Sequence, residues 1–268
     1  MYYFFSKSNF YTIFAADLYH KQTTNMKSFC TVLMMCCLAL GCMAQPFETD
    51  EFKTASGKTL KITCIKHATM MMEYDGKVIY FDPVINVKPY TDFTAFPKAN
   101  YIFVTHEHQD HFDSMALTEL RRNYTTIYVN HNVYENWGSG YVMANGDKTE
   151  VDDNITVEAV PAYNTTPAHM KFHPKGRDNG YILTIENLRI YVAGDTEDIP
   201  EMENIKDIDI AFLPCNQPYT MTVEQLVKAA KTIKPKVLFP YHYSDTPIRK
   251  VSMLLSGSGI DVRIRKYQ

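Results

Sequence analysis

From residue 60 onward, apolar and polar positions alternate in short runs broken by dense turn signals. Leu60 to Ile65, Met70 to Tyr74 and Val78 to Phe81 read as consecutive strands, and Asp75-Gly76 between the last two is a strong hairpin signal. Tyr101 to Val104 is a further apolar run. The period then changes, and Ser114 to Arg122 reads as a helix opened by Asp113 as its N-cap. Thr126 to Val129 and Ile155 to Val160 are strands, and Tyr181 to Ile185 pairs with Leu188 to Val192 through a turn at Glu186-Asn187. Ile208 to Leu213 is again strand. Within Thr222 to Ile233, residues Val223, Leu226, Val227, Ala230 and Ile233 keep helical spacing. A short buried strand at Val237 to Phe239, a helix at Thr246 to Leu255 and a strand at Val262 to Ile264 complete the pattern. Strands come in runs with helices interspersed in each half. No Pro/Gly/Ser-rich linker divides them, so the pattern predicts one α/β (α+β) domain.

The first 44 residues follow different rules. From Met26, a single Lys27 precedes the apolar stretch Phe29 to Leu40, and Gly41-Cys42-Met43-Ala44-Gln45 resembles a signal-peptidase exit after Ala44. The stretch is short of the ~20 residues that span a bilayer. Residues 1 to 25 have no signal character, which makes Met26 the expected start and 1–44 an over-long start plus signal peptide. The protein is then exported, periplasmic or secreted. Acylation at Cys42 is the lesser alternative, because Ala39-Leu40-Gly41 fits poorly before a lipidated cysteine.

Composition adjusts this picture in two ways. The chain has net charge −3, and residues 1 to 44 hold Lys7, Lys21 and Lys27 against Asp17, so removing that +2 leaves −5. Such a balance offers no electrostatic footprint for nucleic acid. Four of the six cysteines, Cys30, Cys36, Cys37 and Cys42, leave with the signal, and Cys64 and Cys215 make at most one disulfide.

Candidate chemistry concentrates after the Tyr101 run. His106-Glu107-His108-Gln109-Asp110-His111 packs three imidazoles and a carboxylate into six residues, in a chain with nine histidines in 268. Histidine and carboxylate are preferred zinc donors, and side chains two apart on extended backbone project to one side, so His106 and His108 can close on one metal. Asp110 and His111 lie past the strand, where a turn can aim them at a second. No Gly-x-Ser-x-Gly elbow, phosphate loop or dinucleotide fingerprint competes.

This His-x-His-x-Asp-His at a strand end, in this order of elements, resembles the metallo-β-lactamase-fold hydrolase superfamily over essentially all of residues 52 to 268. The resemblance implies a four-layer αββα sandwich of two mixed β-sheets with the metal site at one edge. Tyr191-Val192-Ala193-Gly194-Asp195-Thr196 looks like the family's Gly-Asp-Thr element, whose aspartate bridges two metals. Phe239-Pro240-Tyr241-His242-Tyr243 looks like its late histidine. Lys66-His67-Ala68 and Phe81-Asp82-Pro83 resemble elements of the branch that includes L-ascorbate-6-phosphate lactonase and N-acyl-phosphatidylethanolamine phospholipase. The ligand set so implied is His106, His108, Asp110, His111, Asp195 and His242, with Asp82 orienting a ligand or the loop and His67 in the pocket. One departure stands out: the family's usual third histidine for the first metal falls at Asn164, a weak zinc donor. His173 is the candidate replacement, as metal or substrate contact, with His169 a weaker one.

The chemistry implied is hydrolysis of a small ester, lactone or phosphodiester by water activated on one or two ions, with Asp110 orienting that water and carrying its proton. Zinc is the expected metal, manganese or iron the alternatives. A bridging carboxylate offsets the repulsion of dications roughly 3.5–4 Å apart. Two other readings remain open: an iron-dependent oxidoreductase on the same ligands, and a metal-binding protein whose site Asn164 has degraded. A small-molecule substrate is the expected partner. No stable membrane span is expected in the mature form, and the oligomeric state is left open.

Overall fold

In the computed structural model, which describes residues 47–267, side chains leave β2 (Thr59–Lys66) in alternation. Leu60, Ile62 and Cys64 enter a core between two sheets, while Ile65 faces the helices on the outside. The same alternation runs through β3 (Thr69–Tyr74), where Met70 and Met72 face the inner core and Met71 the outer one. Period-two patterning with both faces buried is why these strands read as near-continuous apolar runs. The expected targeting segment and start at Met26 lie outside the described residues.

The first sheet has seven strands in the order β1 (Glu48–Lys53), β2, β3, β4 (Lys77–Phe81), β5 (Tyr101–Phe103), β6 (Thr126–Val129) and β7 (Tyr141–Val142). It is antiparallel from β1 to β4 and parallel from β4 to β7. The second sheet repeats that plan. β8 (Lys148–Asp152), β9 (Ile155–Ala162), β10 (Asp178–Ile185) and β11 (Leu188–Val192) are antiparallel, then β12 (Ile210–Pro214), β13 (Val237–Tyr241) and β14 (Asp261–Val262) continue in parallel. Asp75 and Gly76, both in the left-handed region at φ 48° and 75°, make the two-residue turn of the β3–β4 hairpin.

Helices cover both outer faces. On the first sheet, α1 (Ser114–Leu120) contributes Ala116, Leu117 and Leu120, and α2 (His131–Trp137) contributes Val133. On the second, α3 (Val223–Ile233) packs Leu226, Ala230 and Ile233 on Ala211 and Leu213, with Val251 of α4 (Arg249–Leu254) beside them. Asp113 caps α1 by accepting from Met115 N at 2.9 Å, and Thr222 with Gln225 forms a capping box on α3. The result is the expected αββα sandwich of two mixed sheets. After β14 the chain crosses to β1, where buried Asp50 accepts from Arg263 Nη1 at 2.8 Å and Arg265 Nη2 at 2.6 Å, tying the two sheets together.

Four strands and α-helices were not expected, namely β1, α2, β7 and β8, and neither were the 3-10 turns at Phe93–Ala95 and Pro200–Asn204. Elsewhere, boundaries move. The last helix is only Arg249–Leu254 rather than Thr246 to Leu255, the turn before it being closed by the tighter i→i−3 bonds of Lys250 N to Pro247 O and Val251 N to Ile248 O, both at 3.0 Å. The strand expected at Ile208 to Leu213 runs Ile210–Pro214, and the final one is Asp261–Val262 rather than Val262 to Ile264.

Candidate metal centre

The histidine loop starts from a pinned root. Thr105, two residues past β5, donates its backbone N and Oγ1 to the two oxygens of Asp82, both at 2.8 Å, and its carbonyl accepts from Asn179 N at 3.1 Å. The chain then turns tightly, with His111 N and Phe112 N both donating to His108 O at 2.9 and 2.8 Å. That turn sends His106 and His108 to one side and Asp110 and His111 to the other.

Donor atoms gather accordingly. His106, His108 and His173 converge, with ring centroids of His173 4.9 and 4.8 Å from the other two. His67, Asp110, His111 and His242 form a second group, and His106, His111 and Asp195 a third that joins them. Asp195 Oδ2 lies 3.4 Å from both His173 Nε2 and His242 Nε2, and Asp195 Oδ1 lies 3.2 Å from His111 Nε2. Asp110 Oδ2 is 3.0 Å from His67 Nε2 and 3.4 Å from His242 Nε2.

Two expected candidates behave differently. Asn164 does not turn toward a histidine but braces a loop: its N donates to His173 O at 2.9 Å, and its Nδ2 donates to His169 O at 3.2 Å and Tyr219 O at 2.9 Å. The residue at the family's histidine position therefore holds the segment that carries His173. His169 is drawn instead to buried Glu197, 3.2 Å from its Nδ1, and joins none of the donor groups among the described residues. Cys64 and Cys215 are free and buried, each with a thiol pushed up to about 12 chiefly by burial, so neither forms the permitted disulfide.

The electrostatics sort the histidines. His106 is held well below its ordinary value by burial and by the neighbouring His111, and His67 falls to about 4 from burial and the nearby His242. Burial also opposes charge on His242, yet Asp195 and Asp110 outweigh it and raise the group to about 9. His111 is raised well above the ordinary value despite burial, by Asp195, Asp110 and Asp82. Asp195 and Asp110 are both driven down, burial being overcome by His111 and His242 around them. Asp195 and Asp110 are thus ionised and His106 and His67 neutral, the states that donate to a metal, whereas His111 and His242 must first give up a proton.

Further residues set the orientation. Asp82 Oδ2 lies 2.7 Å from His111 Nδ1 and Asp178 Oδ2 2.9 Å from His173 Nδ1, while Arg177 Nε holds the other Asp178 oxygen at 2.6 Å. Asp178 and Arg177 escaped notice in the sequence because Arg-Asp-Asn between Gly176 and Gly180 looks like an ordinary turn. Gly194, at φ 65°, leaves no room for a side chain: a Cβ there would meet Asn179 O at 2.8 Å and Thr105 Cβ at 3.2 Å. His67, Asp82 and His242 also take left-handed backbone, at φ 45°, 42° and 48°, and His242 N donates to His67 O at 3.1 Å. Strain of about 1–3 kcal/mol per such residue tends to collect at functional sites.

The donor set fits divalent metal. Nε2 of His111, His173 and His242, with Asp195 Oδ1, are buried atoms without a hydrogen-bond partner. Orphaned polar atoms are costly in a protein interior, and here they all face one another. A cleft of about 530 Å³ opens onto them, lined by His108, Asp110, His173, Asp195, Phe172 and Tyr219.

Comparison with known proteins places this geometry. The family model described as the beta-lactamase superfamily domain matches residues 61–242. A UPF0173 metal-dependent hydrolase of Nanoarchaeum equitans is 30% identical over 198 residues, 71% of this chain and 87% of the relative. A solved structure from Parabacteroides distasonis, assigned as a metal-dependent hydrolase, is 55% identical with TM-score 0.80, covering 83% of this chain and all of that one. A metallo hydrolase from Ignicoccus hospitalis is 26% identical with TM-score 0.66, covering 78% of this chain and 95% of its own. With the family model running from within β2 through the histidine loop and Asp195 to His242, this chain belongs to the beta-lactamase superfamily.

Proposed function

We propose that this chain is a hydrolase working with two divalent ions, zinc first, on a small ester, lactone or phosphodiester. Asp195 carries the reading, because one buried carboxylate faces His173 and His242 at 3.4 Å and His111 at 3.2 Å. His106, His108 and His173 would hold one ion, Asp110, His111 and His242 the other, and Asp195 both. Relatives named metal-dependent hydrolases support the coarser class. Bound there, such ions supply a water acidified toward pKa ~7 and a Lewis acid for the oxygen that gains charge.

The chain's own groups supply the rest. Asp110 stays ionised, so its Oδ2 is a hydrogen-bond acceptor able to orient the attacking water. His67, kept neutral, donates to that oxygen at 3.0 Å and fixes which way it points. Phe172 and Tyr219, with ring centroids 5.0 Å apart, form an aromatic wall of the cleft.

The test is a panel of esters, lactones and phosphodiesters, with and without a further carboxylate, presented to the zinc-loaded protein. Turnover of at least one class, abolished in Asp195→Ala, supports the reading. No turnover of any by protein carrying two ions would favour a binding protein. We also read residues 1–44 as start plus signal peptide and 45–268 as one exported domain; no helix among the described residues is long and apolar enough to cross a membrane. N-terminal sequencing that begins at Gln45 supports export, and an intact N-terminus on a cytoplasmic chain contradicts it.

A further inference from the structure

A second cavity, about 360 Å³, is lined by His67, Asp110, Lys88, Tyr243 and Ser244 among others. It shares Asp110 with the aromatic cleft and otherwise has its own walls. Asp110 lines both cavities, whereas His67 lines only the second.

Lys88 reaches this cavity on a loop fastened from two sides. Lys66, only 1% exposed, sends Nζ from the end of β2 into the loop and donates to the carbonyls of Ile85 at 3.2 Å, Val87 at 2.5 Å and Pro89 at 2.5 Å. Those three acceptors use all three ammonium protons. On the other flank Asp113 Oδ2 accepts from Ile85 N and Asn86 Nδ2, both at 3.0 Å, while its Oδ1 caps α1. Burying a lysine is expensive, and burial lowers this one to about 8. Turn residues alone would close a loop. A buried ammonium clamped on alternate carbonyls fixes the loop's shape, and what that shape presents to the cavity is Lys88.

Lys88 is the one lysine or arginine in the cavity's lining, which also holds the ionised Asp110. Lys88 is exposed, and the lysines that pair with carboxylates among the described residues are Lys58, Lys61, Lys77, Lys175, Lys228 and Lys236, which leaves the Lys88 charge uncommitted. Ser244 Oγ accepts from Asn216 Nδ2 at 3.3 Å, so its proton remains available as a donor. Tyr243 OH is already committed to Arg265 O.

We propose that Lys88 is the anion-recognition residue of this site, selecting substrates that carry a carboxylate or phosphoryl group on the His67 side of the scissile bond, with Lys66 as its positioning residue. The proposal rests on the hydrolase reading above and deepens it by naming a substrate class.

The experiment compares 4-nitrophenyl hemisuccinate with neutral 4-nitrophenyl butyrate on the zinc-loaded full chain and its Lys88→Met, Lys88→Arg, Lys66→Met and double Lys66→Met/Lys88→Met variants. A charge-assisted contact predicts that Lys88→Met lowers the hemisuccinate-to-butyrate ratio of kcat/KM by about tenfold or more, through KM, and that Lys88→Arg retains most of it. Lys66→Met should lower the same ratio, and the double variant should lose no more than Lys88→Met alone, a non-additivity that a purely structural role would not produce. An unchanged ratio in Lys88→Met overturns the proposal. If the wild type turns over neither ester, the hydrolase reading falls separately, and calorimetry with succinate and with inorganic phosphate still decides. Binding weakened about tenfold by Lys88→Met supports the anion site, the tighter anion naming carboxylate or phosphoryl as the source, and equal affinity in both proteins overturns it.

Discussion

His173 Nδ1 lies 2.9 Å from Asp178 Oδ2. The other half of the molecule repeats the relationship, with His111 Nδ1 2.7 Å from Asp82 Oδ2. In each case one ring nitrogen is fixed by a fully buried carboxylate while Nε2 is left without a hydrogen bond and within 3.4 Å of Asp195. A carboxylate behind an imidazole sets its tautomer and raises its basicity as a donor.

Asp178→Asn and Asp82→Asn keep the shape and remove the charge. Each is expected to weaken metal affinity by about 10–100-fold, read by competition with a chromogenic chelator. Undiminished affinity in both variants would mean that the two carboxylates serve folding alone.

Gly194 gives a second prediction. The added methyl of Gly194→Ala meets Asn179 O at 2.8 Å, a backbone atom that cannot swing away, at a φ of 65°. A loss of about 1–3 kcal/mol in urea unfolding is expected, together with reduced metal content because Asp195 is the next residue. Wild-type stability and loading would contradict the argument from close approach.

The pH dependence follows from His242, raised from the ordinary 6.5 to about 9 in the metal-free site by Asp195 and Asp110 against the opposing effect of burial. A histidine raised by folding contributes stability that is fully present below about 6.5 and is lost as pH rises through about 9. Metal binding runs the other way, since the proton must leave before the nitrogen can coordinate. Between those limits the metal-free protein should lose thermal stability relative to His242→Gln while zinc affinity of the wild type rises. Calorimetry in buffers of different ionisation enthalpy should show net proton release on binding at pH 7. Binding without proton release would contradict this charge state.

Much of the sandwich was legible because its strands are apolar on both faces and its hairpins use Asp75-Gly76 chemistry. The elements that escaped lack such a signal. β1 reads Glu-Thr-Asp-Glu-Phe-Lys, a charged edge strand held by Arg263 and Arg265 on Asp50, residues more than two hundred positions away. α2 buries only Val133 and is marked by its caps, Asn130 accepting from Val133 N at 2.8 Å and Gly138 at φ 81°, instead of by an apolar stripe. In the site, His106 to His111 were legible because local spacing suffices to gather donors. Asp178 and the bracing role of Asn164 depend on which strands end side by side, and that is a property of the fold rather than of any short stretch of chain.

If His173 completes a two-ion site around Asp195, as proposed above, metal loading must depend on it. Metal content by plasma mass spectrometry on the purified protein, beside His173→Ala and the double variant His106→Ala/His108→Ala, tests it most directly. The account predicts about two equivalents of zinc or manganese in the wild type, about one fewer in His173→Ala and a comparable or greater loss in the double variant. One equivalent or less in the wild type, or full loading without His173, would contradict it.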